Sequence, residues 1–107
     1  MTHPQLTEIL SKLRSRLEAT YEERLDSLVL FGSQARKEAT ADSDIDVLVV
    51  LRDRLDVPKE RKRLSEFLAD LCLNYEVVIT CSWADTQDWQ NRQSPLMINI
   101  RREGVTV

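Results

Sequence analysis

The sequence has no apolar run long enough to cross a bilayer. Its longest runs, Leu28 to Phe31 and Val47 to Leu51, are of strand length, whereas a membrane-spanning helix needs about 20 residues. No charged start leads into an apolar core and a small-residue cleavage site, so no secretory signal is read and a cytoplasmic location is expected. Histidine is almost lacking. His3 is the only one, so no Ser-His-Asp or Cys-His constellation can be assembled, and His3 itself is expected to be idle. The two cysteines, Cys72 and Cys81, have no zinc-type spacing and read as small buried hydrophobes in a reducing compartment. A net charge of −3 lacks the basic excess that replaces counterions on nucleic acid, so direct nucleic-acid binding is not expected. The one basic stretch, Lys59-Glu60-Arg61-Lys62-Arg63, reads as the solvated outer face of a helix. Repeats and linkers are also missing. With 107 residues, 42% of them hydrophobic, the chain suits one small globular domain over residues 1–107.

What is present alternates between helical and extended patterns. Pro4 suits a first helical turn, and Leu6, Ile9, Leu10, Leu13 and Leu17 follow at spacings of three and four, which predicts an amphipathic helix over 4–21. Leu25 to Phe31 predicts a strand ended by the turn residues Gly32-Ser33. Gln34 to Glu38 suits a brief helix and Thr40 to Ser43 a loop. Ile45 to Leu51 is nearly all apolar, the pattern of a strand covered on both faces. Pro58 opens a second long helix with Leu64, Phe67, Leu68, Leu71 and Cys72 on one side. Glu76 to Thr80 predicts a third strand, and Ser94-Pro95 starts a last helix that Gly104 ends. The expected architecture is α/β (α+β), a small mixed β-sheet with helices packed on it.

The chemistry concentrates between Gly32 and Asp46. Asp44 and Asp46 stand two apart at the entry to a strand, so both side chains leave one face. Two neighbouring ionised carboxylates repel one another, and one tends to keep its proton unless a cation lies between them. Mg²⁺ resolves the conflict, because it prefers carboxylate oxygen and completes its shell with water and substrate phosphates. A third acid would allow two ions about 3.5–4 Å apart, the arrangement that clamps attacking and leaving oxygens in phosphoryl chemistry. Glu76, at the head of the expected third strand, is the candidate for that acid and for general base. Gly32 at a strand-to-helix turn admits close approach of a ligand to the backbone, and Ser33 adds a hydroxyl donor toward phosphate. Arg36 either neutralises triphosphate charge or is an exposed surface cation. Ser43 either contacts phosphate or shapes the turn.

Gly32-Ser33, ten intervening residues, then Asp44-Ile45-Asp46 before an apolar strand resembles the signature of the DNA polymerase β-like nucleotidyltransferase superfamily. The short length and the ending Ser94-Pro95-Leu96 through Ile100-Arg101-Arg102-Glu103-Gly104 are similar to its minimal members, the MNT antitoxins paired with HEPN-domain toxins. The resemblance implies Gly32 and Ser33 as triphosphate contacts and Asp44, Asp46 and Glu76 as acids binding two Mg²⁺ ions. It departs at Lys37, where similar proteins often have glycine, and at Glu76, where the acid is more often Asp. It further implies attack of an acceptor hydroxyl on the α-phosphorus of ATP, with a HEPN toxin tyrosine as acceptor and homo- or hetero-oligomers in play. Two other readings stay open: a non-catalytic antitoxin that acts by binding, and a transferase acting on a small molecule such as an aminoglycoside. Trp83 and Trp89 are either partner anchors or, preferably, covers of the core edge.

Overall fold

The computed structural model describes residues 3–40, 43–53 and 55–107. Helix α1 spans Leu6–Tyr21, and a short 3₁₀ turn, Glu22–Arg24, leads into strand β1, Leu25–Phe31. A four-residue helical turn, α2 (Gly32–Ala35), precedes β2 (Ile45–Leu51). Then come α3 (Val57–Tyr75), β3 (Ile79–Asp85), α4 (Thr86–Asn91), α5 (Pro95–Glu103) and the two-residue β4 (Val105–Thr106). The strands form one mixed sheet in the order β3-β2-β1-β4. Strand β1 runs antiparallel to β2 and β4, whereas β2 and β3 are parallel. A parallel pair needs a long crossover, and the 19 residues of α3 provide it.

The near-continuous apolar run of β2 is explained by burial on both faces. Ile45, Val47, Val49 and Leu51 pack with Ile9, Leu13 and Leu17 of α1 and Leu64 and Leu71 of α3. Leu48 and Val50 face the opposite way, toward Val29, Ala84 and Met97 and Ile100 of α5. Each such side chain, fully removed from water, contributes about 1.5–3 kcal/mol. By the same alternation, Asp46 leaves β2 on the α5 side of the sheet.

Local chemistry fixes the helix ends. The Asp56 carboxylate accepts from the Lys59 N–H at 3.3 Å at the start of α3, with Pro58 in its first turn. Ser94 caps α5 by accepting from the Met97 N–H at 3.3 Å, ahead of Pro95. Gly104 follows α5 with an ordinary φ of −68°. Its need for glycine is one of space, because a Cβ there would lie 2.5 Å from the Ile100 carbonyl oxygen and 2.6 Å from Val29 Cγ1.

Several expectations are corrected. The third strand is Ile79–Asp85 rather than Glu76–Thr80. Glu76 instead follows α3 with left-handed angles (φ 52°, ψ 51°), and its N–H and that of Val77 both donate to the Cys72 carbonyl. That is a Schellman-type ending, in which the chain reverses before extended structure can begin. The polar stretch after β3 forms the additional helix α4, capped by Asp85, whose carboxylate accepts from the Asp88 N–H at 2.7 Å. Glu60 is not on a solvated face. It is 2% exposed, accepts from the Tyr21 hydroxyl at 2.9 Å and lies 3.7 and 3.5 Å from the guanidiniums of Arg24 and Arg63. Burial, then this bond to Glu60, pushes the Tyr21 hydroxyl pKa up. His3, for which no catalytic part was expected, has a structural place. It is buried, its backbone N–H donates to Gln34 Oε1 at 2.8 Å, and its ring Nδ1 accepts from the Gln5 N–H at 3.1 Å.

Trp83 and Trp89 lie at core edges, as preferred. Trp83, on β3, meets the Tyr21 ring edge-on at 6.2 Å, and Trp89, partly buried, packs against the core cluster on the α5 side of the sheet. Cys72 and Cys81 are free thiols, and burial pushes Cys81 up to about 12. Among the described residues no helix is long and apolar enough to cross a membrane.

Candidate active site

The site forms where β1 ends and β2 begins. The antiparallel register sets Phe31 opposite Asp46, so the next residue, Gly32, turns directly over the Asp46 carboxylate. Gly32 has a φ of +74°, and a Cβ placed on it would lie 2.4 Å from Asp46 Oδ2. Both facts require glycine, first for the left-handed backbone and second for the space the carboxylate occupies. The turn is closed by the Arg36 N–H donating to the Gly32 carbonyl at 3.1 Å and the Glu38 N–H donating to the Ser33 carbonyl at 2.9 Å. Lys37 also has a positive φ, of 61°. That conformation gives a physical reason for glycine at this position in similar proteins.

Asp44 is exposed and Asp46 half-buried. Burial, then the charge of Asp44, holds the Asp46 carboxyl above its ordinary range, while Arg36 acts in the opposite direction. The contribution of Asp44 to that shift is the mutual repulsion that the Asp-x-Asp spacing implied. Two hard oxygen donors on one face, beside a turn stripped of side chain, fit one divalent ion together with a phosphate chain.

The other candidates are placed less simply. Ser33 is half-buried on α2, directly after Gly32. Arg36 is exposed, and its guanidinium pairs with Glu103 of α5 at 2.7 Å and with Glu38 at 3.1 Å, so contact with a triphosphate requires giving up these partners. The Ser43 hydroxyl accepts from the Thr40 N–H at 2.9 Å and lies 3.3 Å from the Thr40 hydroxyl, which joins Thr40 to the residue before Asp44. Glu76 stands exposed beyond α3 and is not among the charges bearing on Asp46. Among the described residues no group of three His, Cys, Asp or Glu side chains is disposed to hold a metal ion. The structure thus brings together Gly32, Ser33, Asp44 and Asp46 but does not bring Glu76 to them.

One positioning residue was missed. Gln34 is 1% exposed, accepts from the His3 N–H at 2.8 Å and donates through Nε2 to the Ser43 carbonyl at 3.5 Å. It ties the Gly32 turn to the loop that delivers Asp44. No periodicity marks a lone buried amide on a four-residue helix, so the sequence carries no signal for it.

Comparison with known proteins identifies the family and the fold. Residues 8–81 match the nucleotidyltransferase domain family. Candidate protein adenylyltransferases of Methanocaldococcus jannaschii are similar in sequence. One is 26% identical over 76 residues, covering 71% of this chain and 76% of the relative. Another is 37% identical over 70 residues, covering 65% and 68% respectively. For a third, 32% identical, the chain spans 49% of the relative's length. Among solved structures, a candidate nucleotidyltransferase from Sulfolobus solfataricus superposes with a TM-score of 0.65 at 17% identity, over 92% of this chain and 76% of that one. A toxin–antitoxin complex with AMP-PNP superposes at 0.61 and 19% identity, over 89% and 69%. A tri-AMPylated Shewanella oneidensis HEPN toxin in complex with its MNT antitoxin gives 0.53 at 19% identity, over 94% and 69%. These structural likenesses bear on the fold, and the family match covers most of the chain. The chain belongs to the nucleotidyltransferase domain family.

Proposed function

We propose that this protein transfers AMP from ATP to a hydroxyl of a partner protein, and that the partner is a HEPN-domain toxin which the modification neutralises. The observation that carries the reading is the juxtaposition of Gly32 with the Asp44–Asp46 pair, in which a glycine-only turn lies against a carboxylate. The reaction is attack of the acceptor oxygen on the α-phosphorus of ATP. A new P–O bond forms, the bond to the β-phosphate oxygen breaks, pyrophosphate leaves and the acceptor proton passes to solvent or a base. Asp44 and Asp46 would hold a divalent ion, Mg²⁺ in the cell, which when bound neutralises triphosphate charge. Gly32 leaves room for the phosphate chain, Ser33 donates to it, and Gln34 and Ser43 hold the approach to Asp44. Support for a protein acceptor comes from the candidate protein adenylyltransferases among the relatives, and for a HEPN partner from the AMPylated toxin bound to a protein of the same fold. ATP supply and the free thiols of Cys72 and Cys81 suit the cytoplasm.

The test is to incubate the protein with ATP, Mg²⁺ and its genomic-neighbour toxin and to weigh the toxin intact. One or more added adenylates are expected, and none with Asp44→Asn/Asp46→Asn. Cells protected from the toxin while its mass stays unchanged would show instead that neutralisation works by masking.

A further inference from the structure

The strand beside the carboxylate pair has no acid on the shared face. Parallel pairing sets Asp46 against Thr80 and Ile45 against Ile79. The Ile45 N–H donates to the Val78 carbonyl at 2.9 Å, which carries that register back to the level of Asp44. Paired residues of adjacent strands present their side chains on one face, so the residues flanking the carboxylates are Thr80 of β3 and Val78 just before it. Burial agrees with this assignment. Ile79 belongs to the core beneath α1 and α3, whereas Val78 is 58% exposed and Thr80 is also exposed. On the other flank, Asp46 faces Phe31, followed by Gly32. The strand carboxylates, Asp26 and Asp85, lie at the far ends of β1 and β3, and Glu76, left-handed behind α3, forms no three-acid group with the pair among the described residues.

Ligand supply decides what this set can hold. Asp44 and Asp46, with water and phosphate oxygens, complete the shell of one divalent cation. A second ion about 3.5–4 Å away needs its own protein oxygen, and among the described residues no further carboxylate is grouped with the pair. Resting on the reading of Asp44 and Asp46 as the metal-binding pair, we propose that this chain holds a single divalent ion with its nucleotide, and that Thr80 occupies the place where a second ion would need an acid. The two-ion arrangement implied by resemblance is then one substitution away, because Thr80 is exposed and accommodates Asp without disturbing the core.

The experiment is equilibrium dialysis of the whole protein with Mn²⁺ and a non-hydrolysable ATP analogue, counting Mn²⁺ per protein-bound analogue. Wild type and Glu76→Gln should each retain one ion, and Thr80→Asp two, with folding checked by circular dichroism. Should Thr80→Asp not fold, Val78→Asp carries the same comparison on the same face. Two ions in wild type overturn the inference. If one of them is lost in Glu76→Gln, the role passes to Glu76 and the Asp44–Asp46 reading stands. No retained ion in wild type overturns the inference and the metal-pair reading together. A folded Thr80→Asp protein that still retains one ion overturns the placement of the missing acid.

Discussion

Gly32→Ala is the sharpest perturbation of the site, because one methyl group meets two separate constraints. The backbone there has a φ of +74°, and a left-handed conformation costs a residue with a Cβ about 1–2 kcal/mol. For a domain of this size, that corresponds to a fall in Tm of roughly 4–8 °C per kcal/mol. The new Cβ would also lie 2.4 Å from Asp46 Oδ2 and 3.3 Å from its Cγ. The nearest atom belongs to the end of a side chain, so the fold relieves the clash by swinging the carboxylate and not by opening the sheet. Stability should therefore fall only by the backbone cost, while Asp46 leaves its place beside Asp44. Metal-dependent affinity for a non-hydrolysable ATP analogue should drop at least tenfold, equivalent to about 1.4 kcal/mol. Gly104→Ala is the matched control, since its Cβ would strike the Ile100 carbonyl and Val29 and not a carboxylate. It should lower stability and leave affinity unchanged. Calorimetric titration of both variants, with thermal melts alongside, gives the comparison. A folded Gly32→Ala protein with wild-type metal-dependent affinity would refute the argument that the turn is shaped around the carboxylate.

Two further outcomes follow from the same geometry. Glu76→Gly should stabilise the protein by up to ~1 kcal/mol in chemical denaturation, because glycine occupies the left-handed position after a helix without penalty, and nucleotide affinity should be unaffected; a loss of affinity would return Glu76 to the site. Asp46→Asn should raise metal-free stability at neutral pH. The folded protein holds the Asp46 proton more tightly than the unfolded chain, so its ionised form carries a stability cost that is full above the raised folded pKa and vanishes below the ordinary value of 3.8. The advantage of the Asn variant, followed by melts at several pH values, should shrink as pH falls through that window, and an advantage that grows toward acid would contradict the sign.

Much of this was legible because it rests on short-range pattern. The apolar run Ile45 to Leu51 predicts a strand buried on both faces, and cores on both sides of β2 bear it out. Pro58 and Ser94-Pro95 mark helix starts that the capping bonds of Asp56 and Ser94 confirm. Gly32 and the Asp44/Asp46 spacing point to a turn beside paired acids, and the strand register places them together. What failed depends on relations that no local pattern encodes. Glu76-Val77-Val78-Ile79 reads as a strand, yet the helix reversal at Cys72 to Val77 delays pairing until Ile79. That delay moves Glu76 off the sheet and leaves Val78 and Thr80 beside the acids. The partners of buried Glu60 come from α1, the 3₁₀ turn and α3 itself, and a charged cluster in sequence gives no hint of them. Gln34 likewise acquires its role only when His3 and Ser43 meet it in space.

The joining of a metal ion to a nucleotide by Asp44 and Asp46 is tested most directly by titrating a non-hydrolysable ATP analogue into wild type and into Asp44→Asn/Asp46→Asn, each with and without Mg²⁺. Both positions are at least partly exposed, so the variant should fold. Mg²⁺ should strengthen binding to wild type by tenfold or more and leave the variant's affinity unmoved. An equal strengthening in both proteins would contradict the account.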